Sequence, residues 1–260
     1  MFRKREKFDR TDVPRDSPYK NVIGAIVCVV VFAAVALAVY LVWNRVRLES
    51  RLGDADLSSA VKAQDEAVAP AGYVASSDEL ETTLLLTADS LEPAGAALQS
   101  ARVLVVNKTQ GTAALANIPL EAKVVRDSEP STLAELFSSA GSAACVEPLA
   151  SACGLSFDHV VVATGDVIEE AAALAGSGTT NLVRSASGLL SKMRTDLDAA
   201  GLLAMAESLS SVGTANLSQV DAVLVPETAQ DADGNTVETG YQLVDTAQLG
   251  VALGTLVPAA

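Results

Sequence analysis

Thr83-Leu84-Leu85-Leu86-Thr87 and Ala101-Arg102-Val103-Leu104-Val105-Val106-Asn107 are two short apolar runs, each closed by polar residues. Runs of this length are too short for ordinary helices and are of the buried-strand type. Thr112 to Ile118 is a third, joined to the second by the turn-rich Lys108-Thr109-Gln110-Gly111, and Phe157 to Ala163 is a fourth. Between and after them the spacing changes. Ser131 stands as an N-cap before Leu133, Leu136 and Phe137 at helical intervals, with Glu135 in the first turn. Asp166 to Ala175 predicts a helix closed by Gly176, and further helices are expected over Leu182–Met193 and Leu197–Leu209. Strands at Val220–Val225 and Tyr241–Val244 then lead to a terminal helix through Leu249 and Leu253. Strands alternating with helices predict an α/β fold, a three-layer α-β-α sandwich with a mixed central sheet. No internal repeat is present.

Upstream of this domain, Val22 to Trp43 is an apolar run of twenty-two residues. As a helix it would be about 33 Å long, enough to cross a bilayer core of about 30 Å. Arg3, Lys4, Arg5, Lys7, Arg10, Arg15 and Lys20 outnumber the four acids before it, which predicts a cytoplasmic N-terminus. A secretory signal peptide is the competing reading, but its apolar core is about 7–15 residues long and leads to a small-residue cleavage site. This run ends instead in an aromatic and basic collar, Tyr40 to Arg47. The expected organisation is a basic tail (1–21), a single transmembrane helix (22–43), a stalk and linker (44–80) and an extracytoplasmic domain (81–260). The expected location is the cell membrane.

Charge narrows the partners. The chain carries -14 overall, and beyond Arg47 there are 9 Lys and Arg against 28 Asp and Glu. Such a domain repels nucleic acid, so no nucleic-acid partner is expected. Aromatic residues are 4% of the chain, so the core must be built from Ala, Val and Leu. Cys28 falls in the membrane run. Cys145 and Cys153, eight helical steps apart, would be separated by about 12 Å, beyond disulfide reach unless Pro148 breaks the helix. They read as two buried thiols, with a strained local bridge or an intermolecular bridge as the alternatives.

Several short motifs, in order, resemble the LytR-CpsA-Psr family of cell-wall proteins. Leu84 to Ser90 resembles the family's opening strand with its Gly-x-Asp-Ser-Arg-like end, and Ser100 to Val106 its Ser-Asp-Thr strand. Ile118-Pro119-Leu120-Glu121 is similar to its Ile-Pro-Arg-Asp. Gly154-Leu155-Ser156-Phe157-Asp158-His159-Val160-Val161 is similar to its Gly-Leu-x-Ile-Asp-His-Tyr-Val. Asn181 to Ser185, Thr214 to Ser218 and Tyr241 to Leu253 follow in the family's order, so the resemblance spans about Glu81 to Val257. It implies a membrane-anchored protein that handles glycopolymers carried on polyprenyl pyrophosphate, in a pocket holding the pyrophosphate with arginines and a divalent metal.

The departures bear on activity. The Ser-Asp-Thr aspartate falls on Ala101, the Arg-Asp pair on Leu120 and Glu121, and Leu91 stands where an arginine is expected. The segment with the family's paired arginines is absent, since Gly176 runs almost directly into Asn181. Transfer from a pyrophosphate needs cations around the leaving phosphate. The resemblance with these losses implies a non-catalytic binding or assembly module with no cofactor, whose partners are a polyprenyl-linked glycopolymer or an active paralogue. The alternative is an active, divergent transferase using magnesium. Candidate pyrophosphate or lipid-binding residues are Asp89, Arg102 and Arg184, and Asp89 is the candidate metal ligand.

Bland readings stand beside each. Asp89 also reads as a turn cap, Arg102 as a solvated strand residue and Arg184 as half of a helix-surface ion pair. His159, the one histidine, reads as a structural hydrogen-bonding group. Asp231-Ala232-Asp233-Gly234-Asn235 lacks the glycine and glutamate spacing of a calcium loop and reads as a turn between strands.

Overall fold

The computed structural model describes residues 51–91, 94–165, 192–212, 216–231 and 233–259. The apolar run 22–43, the helix expected over 166–175 and most of that over 182–193 lie outside them. Among the described residues no helix is long and apolar enough to cross a membrane.

Arg47–Ala260 is one compact unit around an α/β core. Its elements begin with α1 (Ala55–Lys62), β1 (Tyr73–Ala75), β2 (Leu80–Ala88), β3 (Leu98–Asn107) and β4 (Thr112–Ile118). Then come β5 (Lys123–Arg126), β6 (Glu129–Thr132), α2 (Leu133–Ala140), α3 (Ser142–Cys153), β7 (His159–Thr164) and β8 (Met193–Thr195). The chain continues through α4 (Ala199–Val212), β9 (Leu217–Asp221), β10 (Leu224–Gln230), β11 (Thr236–Val244), α5 (Thr246–Leu253) and β12 (Leu256–Pro258). Six strands form a mixed sheet in the order β8-β7-β2-β3-β4-β9. β3 runs antiparallel to β2 and β4, whereas β7 is parallel to β2 and β9 parallel to β4.

Alternation along the strands sorts the side chains onto two faces. Leu84, Leu86, Val103, Val105, Ala116, Ile118, Val160 and Val162 point to one, where they pack with Leu57, Phe137, Val146, Leu149 and Leu253 from α1, α2, α3 and α5. Leu104, Val106 and Ala113 point to the other, with Leu85 and Leu115 beside them, under Leu209 and Val212 of α4. Ala101, Ala114 and Ala116 are buried in the sheet itself, and Phe137 is the largest wholly buried side chain among the described residues. The core is built from small and aliphatic residues, as the scarcity of aromatics requires.

Four boundaries differ from expectation. Residues 51–80 do not form a separate stalk: Leu57 is 0% exposed within the main core, and β1 pairs with β12. The reason is specific bonding, since Asp54 caps α1 through the N–H groups of Asp56 and Leu57 while accepting Arg194 Nε at 2.6 Å. The cap of α2 is Thr132 rather than Ser131, because only Thr132 forms the reciprocal pair with Glu135. Met193 belongs to β8, paired with Ala163, so edge pairing ends the helix expected there. The strand expected at Val220–Val225 is two, β9 on β4 and β10 on β11, parted where Ala222 and Val223 turn away from the sheet. Pro148 sits inside α3 without ending it, and Cys145 and Cys153 lie in that one helix as free, buried thiols. Burial pushes both thiols up to about 12.

Candidate functional site

The face of the sheet that α4 covers changes character partway along. Leu104, Val106 and Ala113 are apolar and buried, but further along the same face the residues are Arg102, Asn117, Gln219 and Asp221. There the surface is a groove of about 550 Å³ lined by Arg102, Leu115, Asn117, Gln219, Val220 and Asp221.

Register places three of these side chains in line. Arg102 of β3 is directly opposite Asn117 of β4, and Asn117 is opposite Asp221 of β9. With strands about 4.8 Å apart, the row from Arg102 to Asp221 is about 10 Å long at the backbone. Gln219 points the same way two residues earlier on β9. Arg102 is half-buried, and the other three polar residues are exposed. Among the described residues none of the four side chains has a hydrogen-bond or ion-pair partner. A guanidinium, two amides and a carboxylate therefore keep their full bonding capacity toward the groove.

Asp89 follows β2 and does not line the groove. Its Oδ1 accepts the Ala97 N–H at 2.8 Å, and its own N–H donates to the Ala97 carbonyl at 3.1 Å, closing the β2–β3 connection. Arg184 lies outside the described residues. Ala101, where the resemblance puts an aspartate, is 0% exposed and faces the main core, away from Arg102. Leu120 and Leu91 pack against that core too.

A resident magnesium ion takes about six oxygen ligands, one or two of them carboxylates. Among the described residues no three His, Cys, Asp or Glu side chains form a metal-holding group. Asp89 is engaged by backbone, and Asp221 is the one carboxylate lining the groove among the described residues.

His159 bonds structurally. Its Nδ1 donates to Asp196 Oδ2 at 3.0 Å, and Nε2 lies 3.8 Å from Glu81. Asp196 also accepts the Val160 N–H at 2.7 Å, so it fixes the start of β7 to the segment after β8. The Asp196 hydrogen bond is the main reason the imidazolium is held above 6.5; burial opposes it, and the charges of Asp196, Glu81 and Asp158 add to it. Asp231 accepts from the N–H groups of Asp233 and Asn235 and so closes the β10–β11 turn.

The sequence reading missed Asn117, Gln219 and Asp221. None is in a motif, and what joins them to Arg102 is register between strands.

Solved structures share this fold. The transcriptional regulator yvhJ from Bacillus subtilis matches at a TM-score of 0.51 with 13% identity, over 69% of this chain and 96% of that one. B. subtilis TagV matches at 0.50 with 10% identity, over 69% and 96%. At these identities the likeness is one of fold, and that fold is LytR-CpsA-Psr-like, as the motif order implies. No protein-family model matches the chain, and no curated protein sequence matches it.

Proposed function

We propose that this chain is a membrane-anchored, extracytoplasmic, LytR-CpsA-Psr-like protein that does not transfer glycopolymers and acts as a binding or assembly module in their attachment to the cell wall. The reading includes a single membrane helix at Val22–Trp43, a cytoplasmic N-terminus and a three-layer α-β-α sandwich outside. Its partners are a polyprenyl-linked glycopolymer, with an active paralogue as the second possibility.

One observation carries it: Arg102 is the single cation lining the groove among the described residues, and a carboxylate lies in the same row. A guanidinium with no partner among the described residues can hold a phosphate oxygen pair. It cannot by itself offset the several charges of a pyrophosphate as the bond breaks, which calls for clustered cations or a metal. The positions where the family's aspartate and arginine would fall face the core and do not reach the groove.

The test uses the full-length chain in detergent with a polyprenyl-pyrophosphate oligosaccharide and magnesium. Lipid phosphate release should equal a no-enzyme control. Binding should be measurable and should weaken about tenfold in Arg102→Ala, the loss of one charge-assisted contact. Absence of binding would sink the module. Metal-dependent release that disappears in Asp89→Ala and Arg184→Ala would establish the transferase alternative.

A further inference from the structure

The large apolar side chains exposed on this molecule are not scattered. Of the ten among the described residues, five fall on β5 or within Val223–Val244: Val125, Val223, Val225, Val237 and Leu243. Strand register groups them. A bridge between Ala122 and Gln242 sets β11 beside β5, so that β6, β5, β11 and β10 lie side by side. Alternation turns Val124, Leu224 and Val244 into the main core and leaves Val125, Val225 and Leu243 facing outward. Lys123 and Glu227 pair at 2.5 Å beside them, with Lys123 5.1 Å from the Tyr241 ring. Pro148 and Ala152 of α3 close a notch of about 220 Å³ against Val125 and Leu243. Exposed apolar side chains gathered in this way mark an interaction surface.

Charge ranks the occupants. The stretches Lys123–Thr132 and Leu224–Val244 together hold six acids and two cations. Both cations are already paired, Lys123 with Glu227 and Arg126 with Asp127. A second copy of the chain would set this acidic surface against itself, and an anionic lipid or polymer would meet the same repulsion. Strand addition is disfavoured as well. Pro226 lies on β10, the edge strand of the pair, and the register breaks between Pro226 and Thr228, two devices that blunt an edge. What remains available is the outward face itself. Aliphatic contacts at the centre and acids around them complement a segment whose aliphatic side chains are flanked by Lys or Arg.

We propose that the outward face of β5, β10 and β11 docks a basic segment of another protein. The partner's aliphatic side chains rest on Val125, Val225 and Leu243, and its cations face the acids of the β10–β11 hairpin. The surface shares no residue with the groove at Arg102 and does not depend on the function proposed above. Its central contacts set how long the partner stays, while the acids around them set how fast it arrives and make the encounter sensitive to salt.

The experiment places the full-length chain in phosphatidylcholine nanodiscs, with empty nanodiscs as the blank. The probe is the fluorescein-labelled peptide Gly-Lys-Val-Lys-Thr-Leu-Lys-Val-Lys-Gly, read by fluorescence anisotropy. Two further peptides carry Glu in place of Lys, or Ser in place of Val and Leu. Saturable binding of the basic peptide is expected, weakening as salt rises, with both substituted peptides at least about tenfold weaker. The double variant Val225→Ser with Leu243→Ser should raise Kd about tenfold, and Asp233→Asn with Glu238→Gln should raise it and reduce its salt dependence. Val251→Ser, at a comparably exposed side chain on α5, should leave Kd unchanged. Circular dichroism melting checks that each variant keeps the fold, and Val125→Ser alone serves if the double variant melts early. No saturable binding up to about 1 mM peptide, equal Kd for the Lys and Glu peptides, or an unchanged Kd in the Val225 and Leu243 variant overturns the proposal. Sedimentation velocity is run alongside. Dimers of the wild type that this variant disperses would make the occupant a second copy and would overturn it too.

Discussion

His159 is held from several sides by acids: Asp196 at 3.0 Å, Glu81 at 3.8 Å, and Asp158 next to it in the chain. Glu81 is also paired with Lys108, at 3.0 Å. The folded protein holds the imidazolium above 6.5, so this group adds stability that is fully present below 6.5 and lost as pH rises through the folded value. Asp54 has the opposite sign. Burial alone would raise its carboxyl, but the hydrogen bonds from Arg194 and from the Leu57 and Asp56 N–H groups together hold it below 3.8. Its contribution is present above 3.8 and is lost in stronger acid. Urea midpoints measured across neutral pH should therefore fall as pH rises from 6.5, and His159→Gln should flatten the profile. An unchanged slope in the variant would detach the His159 cluster from stability. The bonding roles of Asp89 and Asp231 were legible in the sequence, because each is a local matter of caps and turns; His159 read as a structural group, but its partner Asp196 lies 37 residues away. The setting of Arg102 was not: a slip of one residue moves a strand side chain to the opposite face, and its row partners come from strands distant in the chain.

The central strands and α2 were legible because each is a run of apolar residues or a capped helical pattern several residues long. β1, β8 and β12 are three residues each, and β5 and β6 are four. Segments that short carry no periodicity, and their strand state comes from the partner they meet. The β5–β6 turn illustrates this. Asp127 and Ser128 adopt φ of 52° and 69° without a glycine between them, so the usual glycine mark of a hairpin is absent. α1 lies in the segment read as stalk and linker, and it is a helix packed on the core. Its charged composition describes its outer face, while Leu57, with Ala60 and Val61 packed beside it, anchors it against the core. Leu57→Ala should then cost about 2–5 kcal/mol as a core cavity, read as a lower urea midpoint at unchanged slope. A change below about 0.5 kcal/mol, the size of a surface substitution, would return α1 to the stalk.

At the scale of the whole molecule, the α/β class and the mixed sheet followed from the alternation of runs, while the order of the strands did not. β2 is flanked by β3, its neighbour in the chain, and by β7, which arrives much later; β4 pairs with β9. β7 is buried beside β2 while β9 is largely exposed beside β4, so neither parallel pairing can be read from the strand's own sequence. The ion pair of Asp54 with Arg194 spans 140 residues. A contact closing so long a loop carries its entropy cost late, so it is expected to form after the rate-limiting barrier. Arg194→Met should accelerate unfolding and leave refolding nearly unchanged in denaturant-jump kinetics; an equal effect on refolding would place the pair in the folding nucleus. The same loop sets an order of events during synthesis. On the proposed topology, α1 leaves the membrane first and waits unclasped until β8 has been exported.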